Sequence, residues 1–137
     1  MKKIAIMSFI FTCFAINANA IDINNVECFT DRKEYAQGEH VIIHVKNNSK
    51  DDVDIANRDI IDGGFATIEI KSKDNKWEAI ESVVAANIIT FKTLKSGDSH
   101  IYTWKTKGYN RNATLAALGV YRVTLNIGIQ TNEFKIK

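Results

Sequence analysis

Along most of the chain, apolar and polar residues alternate with a period of two. The clearest run is 118–127, where Tyr121, Val123, Leu125 and Ile127 fall on one side and Arg122, Thr124 and Asn126 on the other. That period marks a strand with one buried face. Val41, Ile43 and Val45 alternate in the same way with His40, His44 and Lys46, while Ala66, Ile68 and Ile70 line one face of 65–71. Shorter runs predict strands over 21–30, 53–56, 77–84, 100–106 and 131–137; Tyr102 and Trp104 share a face, as do Phe134 and Ile136. Turn formers crowd 47–52 (NNSKDD) and 94–99 (LKSGDS). The connections 31–38 and 58–64 read as a polar turn and a loop, 72–76 as a hairpin link and 128–130 as a tight turn. The longer link 107–118 has room for one helical turn, with Thr114 as cap and Gly119 as stop. Periodicity leaves 83–93 open between a strand, a bulged strand and a buried crossing segment. Eight or so short strands at this spacing predict an all-β sandwich rather than alternating helix and strand units.

Composition changes the picture at the N-terminus. Lys2 and Lys3 precede an apolar run over 4–16 and the small-residue site Ala18, Asn19, Ala20, the pattern of a secretory signal peptide cleaved after Ala20. The run is shorter than the ~20 residues of a membrane span, and no later segment approaches that length. One domain, 21–137, is therefore expected in the periplasm or outside the cell, with no membrane attachment after cleavage. Cys13 follows Phe11 and Thr12 rather than small residues, which argues against lipoprotein processing. The formal charge of +2 comes from Lys2 and Lys3; without them acidic and basic residues balance, and no basic stripe for nucleic acid remains. Cys28 would then be alone, which excludes an intrachain disulfide. It reads either as a small buried side chain on the first strand or as a thiol open to an intermolecular bond.

Little else points to chemistry. His40 and His44 share a strand face, but four residues separate them by about 13 Å at ~3.3 Å per residue, too far for one metal, and with His100 they read as surface histidines. Asp51, Asp52 and Asp54 lack the spacing of a calcium loop and read as a solvated turn. No nucleophile-elbow pattern accompanies the Ser, His and Asp residues. Trp77 and Trp104 are expected to pack within the sheets rather than serve as ligand platforms. The sequons at Asn47 and Asn112 matter only in a glycosylating host, and the signal peptide looks bacterial. The chain has no Pro, so Lys71, Lys135 and Lys137 are the expected guards of sheet edges. No cofactor, metal or catalytic residue is expected.

Several short motifs together resemble a known family. Tyr35, Gly38 and Glu39 lead into Val41, Ile43 and Val45 and then Asn47, Asn48 and Ser49. Leu94, Gly97 and Ser99 lead into Tyr102 and Trp104. Gly119, Tyr121 and Val123 precede the closing Asn132, Glu133, Phe134 and Ile136. This series resembles bacterial immunoglobulin-like domains, in particular the intracellular proteinase inhibitor family and its exported relatives. The resemblance implies an immunoglobulin-like antiparallel β-sandwich of about seven to nine strands. Gly119 and Tyr121 would then enter the sixth strand, with the Tyr phenol reaching back to the preceding corner. Val123 stands where an antibody-type domain has its second Cys, so the antibody disulfide is excluded. No inhibitory residue of the family maps onto this chain, and these motifs specify fold more than function.

The function expected on this basis is an exported, non-catalytic immunoglobulin-like module that binds a protein partner. The alternative is a proteinaceous inhibitor of a protease or another enzyme. In such a domain, 31–38, 58–64 and 107–118 gather at one end. Loops on a rigid scaffold concentrate binding residues, and aromatic and Arg side chains dominate hot spots. The expected partner-binding residues are therefore Arg58, Ile60, Ile61, Tyr109 and Arg111. Tyr121, Gly119, Trp104 and Cys28 are expected to be structural.

Overall fold

The computed structural model describes residues 23–61, 65–80, 89–108 and 112–137. The expected signal peptide with its cleavage site, most of the undecided stretch 83–93, and Tyr109 and Arg111 lie outside them. The described chain is all-β apart from one short 3-10 turn at Ile23–Asn25. Eleven strands follow among the described residues: β1 (Val26–Thr30), β2 (Glu34–Tyr35), β3 (Val41–Asn47), β4 (Val53–Ala56), β5 (Ile60–Ile61), β6 (Ala66–Lys71), β7 (Trp77–Ala79), β8 (Phe91–Leu94), β9 (Ser99–Trp104), β10 (Gly119–Leu125) and β11 (Phe134–Ile136).

They form a four-stranded sheet in the order β1-β3-β9-β5, a five-stranded sheet β2-β11-β10-β6-β7 and a two-stranded ribbon β4-β8. The strand count exceeds the seven to nine expected because β2 and β5 sit inside 31–38 and 58–64, which read as turn and loop. A two-residue strand is too short for a period of two to register. The pairing is also not antiparallel throughout, since β5 runs parallel to β9 and β2 parallel to β11. Side chains alternate in the same way in both kinds of ladder, so the pattern carried no information on direction.

The alternation in β3, β9 and β10 drives one face of each strand into a common core. Trp104 on β9 lies 5.4 Å from Tyr121 on β10 and 6.3 Å from Phe134 on β11, ring centre to ring centre, which seats the two larger sheets on one another. Tyr35 on β2 meets Phe134 edge-on at 5.8 Å. Each such buried side chain stabilises the fold by about 1.5–3 kcal/mol relative to exposure.

Two further expectations are corrected. The helical turn after Thr114 does not form: the Thr114 carbonyl instead accepts from the Gly108 N–H at 3.0 Å, and Lys107 bridges Leu115 as a short piece of ladder. Lys71 and Lys135 do not guard edges, because β6 and β11 are interior strands of their sheet.

Candidate functional site

The outer face of the four-stranded sheet is unusually apolar. Glu27 and Phe29 on β1, Ile42, His44 and Lys46 on β3, Ser99, Ile101 and Thr103 on β9, and Ile60 on β5 all lie on it. The register aligns Phe29, His44 and Ile101 in one cross-strand row and Ile42, Thr103 and Ile60 in the next. The Phe29 ring stacks on His44 at 5.2 Å. Phe29, Ile60 and Ile101 nevertheless remain 40%, 38% and 48% exposed. Glu27 and Lys46 stand opposite each other in the adjoining row of the register, so an apolar centre is bordered by charge, the anatomy of many interfaces. The sequence reading missed Phe29, Ile42, His44 and Ile101. The available signal was that β1, β3 and β9 carry large apolar side chains on both faces, one more than a single core requires.

The expected partner-binding residues divide. Ile60 belongs to this face. Ile61 is corrected: it is 4% exposed, pairs with Trp104 across the ladder and is buried in the core. Successive strand residues point to opposite sides, so the two neighbours cannot share a role. Arg58 is half-buried at the entry to β5. Of the connections expected to gather at one end, 31–38 and 107–118 do meet: the Gln37 side chain donates to the Ala116 carbonyl at 3.0 Å, and Leu115 covers Gly38, whose φ is +91°.

Titratable side chains near this sheet serve the fold. His100 is buried rather than on the surface; its Nε2 lies 2.7 Å from the Arg58 carbonyl, which can only accept, so Nε2 carries a proton. The Tyr102 hydroxyl donates to the Ala56 carbonyl at 2.8 Å. Together they hold the segment that delivers Ile60 and Ile61 to the sheet edge. Cys28 is half-buried on β1, and burial pushes its thiol up to about 12, which removes nucleophilic character at neutral pH. Among the described residues no three His, Cys, Asp or Glu side chains cluster for a metal, and no helix is long and apolar enough to cross a membrane.

The turn motifs act on the fold as well. Asn47 is fully buried, donates to the carbonyls of Asp51 and Leu94 at 2.8 and 2.9 Å, and accepts from the backbone N–H and hydroxyl of Ser49. The Gly97 N–H donates to the Asn47 carbonyl at 2.7 Å, so the Asn-Asn-Ser and Leu-x-x-Gly-x-Ser motifs are two halves of one buried contact. The Asp52 and Asp54 carboxylates accept from the Ser96 N–H and the Thr93 hydroxyl. Trp77 packs between strands on the outer face of the five-stranded sheet, with the Arg122 guanidinium 4.3 Å from its ring centre. The Tyr121 hydroxyl donates to the Ala117 carbonyl at 2.6 Å, four residues back, at the corner before β10. Elsewhere an open groove of about 420 Å³ lies between Phe65–Thr67 and Thr124–Gly128.

No protein-family model matches the chain, and neither does any curated protein. Similar solved structures include an alkylpurine DNA glycosylase of Pseudomonas fluorescens bound to DNA containing an abasic site analog, at 10% identity and TM-score 0.42, covering 82% of this chain and 30% of that one. A beta-glucosidase from Listeria innocua matches at 16% identity and TM-score 0.40, covering 82% and 16%. A sporulation control protein of Bacillus subtilis matches at 16% identity and TM-score 0.37, covering 82% and 47%. The chain spans less than half of each of these proteins, and likenesses this distant carry no argument about its activity.

Proposed function

We propose that the chain is an exported immunoglobulin-like domain that binds a protein partner and carries out no chemistry of its own. The observation behind this reading is the apolar outer face centred on Phe29, His44 and Ile101, bordered by Glu27 and Lys46. A contiguous apolar patch rimmed by polar residues is costly to leave in water and marks interaction surfaces. The strand order supports the immunoglobulin-like part: β1-β3-β9 and β11-β10-β6-β7 follow the A-B-E and G-F-C-C′ orders of such domains. The bond from Tyr121 to Ala117 matches the tyrosine corner. The departure is β5, which comes from the second-to-third-strand connection and lies beside β9, where a fourth strand would run.

The test uses tagged 21–137 to capture partners from periplasm and culture fluid. Ile101→Lys and Phe29→Lys, both at exposed positions, are expected to weaken retention of the same partner at least tenfold with unchanged unfolding midpoints. Undiminished retention by both would move the site off this face. The intact mass of the exported protein is expected to begin at Ile21; a product retaining Met1 would remove the exported part of the reading. Stoichiometric inhibition in a protease panel would favour the inhibitor reading instead.

A further inference from the structure

The two larger sheets have four edge strands among the described residues: β1 and β5, β2 and β7. Three of them have only two or three residues, and short edges are a common protection against added strands. β1 differs, with five residues reading Val-Glu-Cys-Phe-Thr and no Lys, Pro or bulge. Its register shows which backbone groups are open. The Asn48 N–H donates to the Asn25 carbonyl and the Asp31 N–H to the Ile42 carbonyl, so residues 25, 27, 29 and 31 face β3. Val26, Cys28 and Thr30 therefore face away. The Thr30 N–H is capped by the Asn132 side chain at 2.9 Å. The Val26 N–H closes the 3-10 turn on the Ile23 carbonyl, whereas the Val26 C=O and the N–H and C=O of Cys28 have no partner among the described residues.

We propose that this edge accepts an extended peptide segment of the partner as an added strand, so that main-chain bonds to Val26 and Cys28 anchor a segment whose side chains continue the apolar face. The proposal rests on the binding reading above and names the partner's chemistry. Strand addition takes affinity from backbone bonds and specificity from alternate side chains. In an antiparallel addition the residue opposite Cys28 points inward and must be small. Its neighbours lie beside Phe29 and Glu27 on the outer face, where an aliphatic side chain extends the row of Phe29, His44 and Ile101. A basic side chain meets the Glu27 carboxylate, which forms no ion pair with another described residue.

The probe is the capped peptide acetyl-Thr-Val-Ile-Ala-Lys-Val-Thr-amide, titrated into isotope-labelled 21–137 and followed by amide shifts and hydrogen exchange. Protection is expected at the Cys28 amide, with side-chain shifts at Phe29. Methylating the alanine nitrogen leaves every side chain in place and is expected to weaken binding about tenfold or more, the size of one backbone bond in a desolvated site. Glu27→Lys should invert the preference toward the peptide with Glu in place of Lys. Equal binding by the methylated peptide, or no protection of the Cys28 amide at millimolar peptide, overturns the proposal. Concentration-dependent protection of the Cys28 amide without peptide would assign the edge to a second copy and overturn it equally. Loss of partner capture by Ile101→Lys alongside a silent edge would leave the binding face standing without the strand.

Discussion

The Asn47 side chain carries four hydrogen bonds into one buried connection. Asn47→Ala would strand the Leu94 carbonyl and the Ser49 N–H, while the Ser49 hydroxyl still reaches the Asp51 carbonyl at 2.9 Å, at a cost of about 3 kcal/mol. Denaturant titration should show a lower midpoint at unchanged slope, and a loss below about 1 kcal/mol would mean that water replaces the amide. Tyr121→Phe removes the bond to Ala117 and should cost about 1 kcal/mol in the same measurement; a neutral result would make the ring ordinary core. Cys28 has a folded pKa raised from 9.0 to about 12 by burial. Its contribution is therefore complete below pH 9 and lost as pH rises toward 12, and Cys28→Ser should flatten that alkaline decline. The turn residues of Asn-Asn-Ser and Leu-x-x-Gly-x-Ser were legible in the sequence, and so was the approach of Tyr121 to its corner, because each is a local pattern. The bond from Asn47 to Leu94 was not, since a side chain reaching across the fold leaves no periodic trace. His100 was misread because its polarity was weighed above the period that already placed it with Tyr102 and Trp104.

At the level of elements, long strands were legible and short ones were not. β3, β9 and β10 each hold enough residues for alternation to be unmistakable. β2 and β5 hold two residues each, and only the ladder with a distant partner defines them. The outer face was hidden for a related reason: Phe29, His44 and Ile101 lie far apart in sequence and become neighbours only through the register. The β5 pair offers a direct test. Ile61→Ala should destabilise by about 2–5 kcal/mol, as buried aliphatic truncations do, whereas Ile60→Ala should stay within about 0.5 kcal/mol while weakening the partner. Thermal unfolding and partner titration of both variants would expose a reversed assignment of the two faces.

For the molecule as a whole, exposed carboxylates set the acid limit only weakly. Hydrogen bonding to Lys137 and that lysine's charge hold the Glu34 carboxyl below its usual 4.5, and the Ala36 N–H does the same for Glu39. A depressed folded pKa gives stability that is full above about pH 4.5 and lost as pH falls through the lower folded value. Both groups are exposed, so the melting temperature should fall only gently below that pH, and salt should weaken the Glu34 part. The parallel pairing of β2 with β11 has a mechanical consequence. The chain enters this pair at the N-terminal end of β2 and leaves it at the C-terminal end of β11, which lie at opposite ends of the ladder. Tension applied between Lys33 and Lys137 pulls the strands lengthwise past each other. The bonds from Lys135 to Lys33, from Lys137 to Tyr35 and from Gln37 to Lys137 must then fail together in shear, whereas a hairpin pulled from its open end gives way one bond at a time.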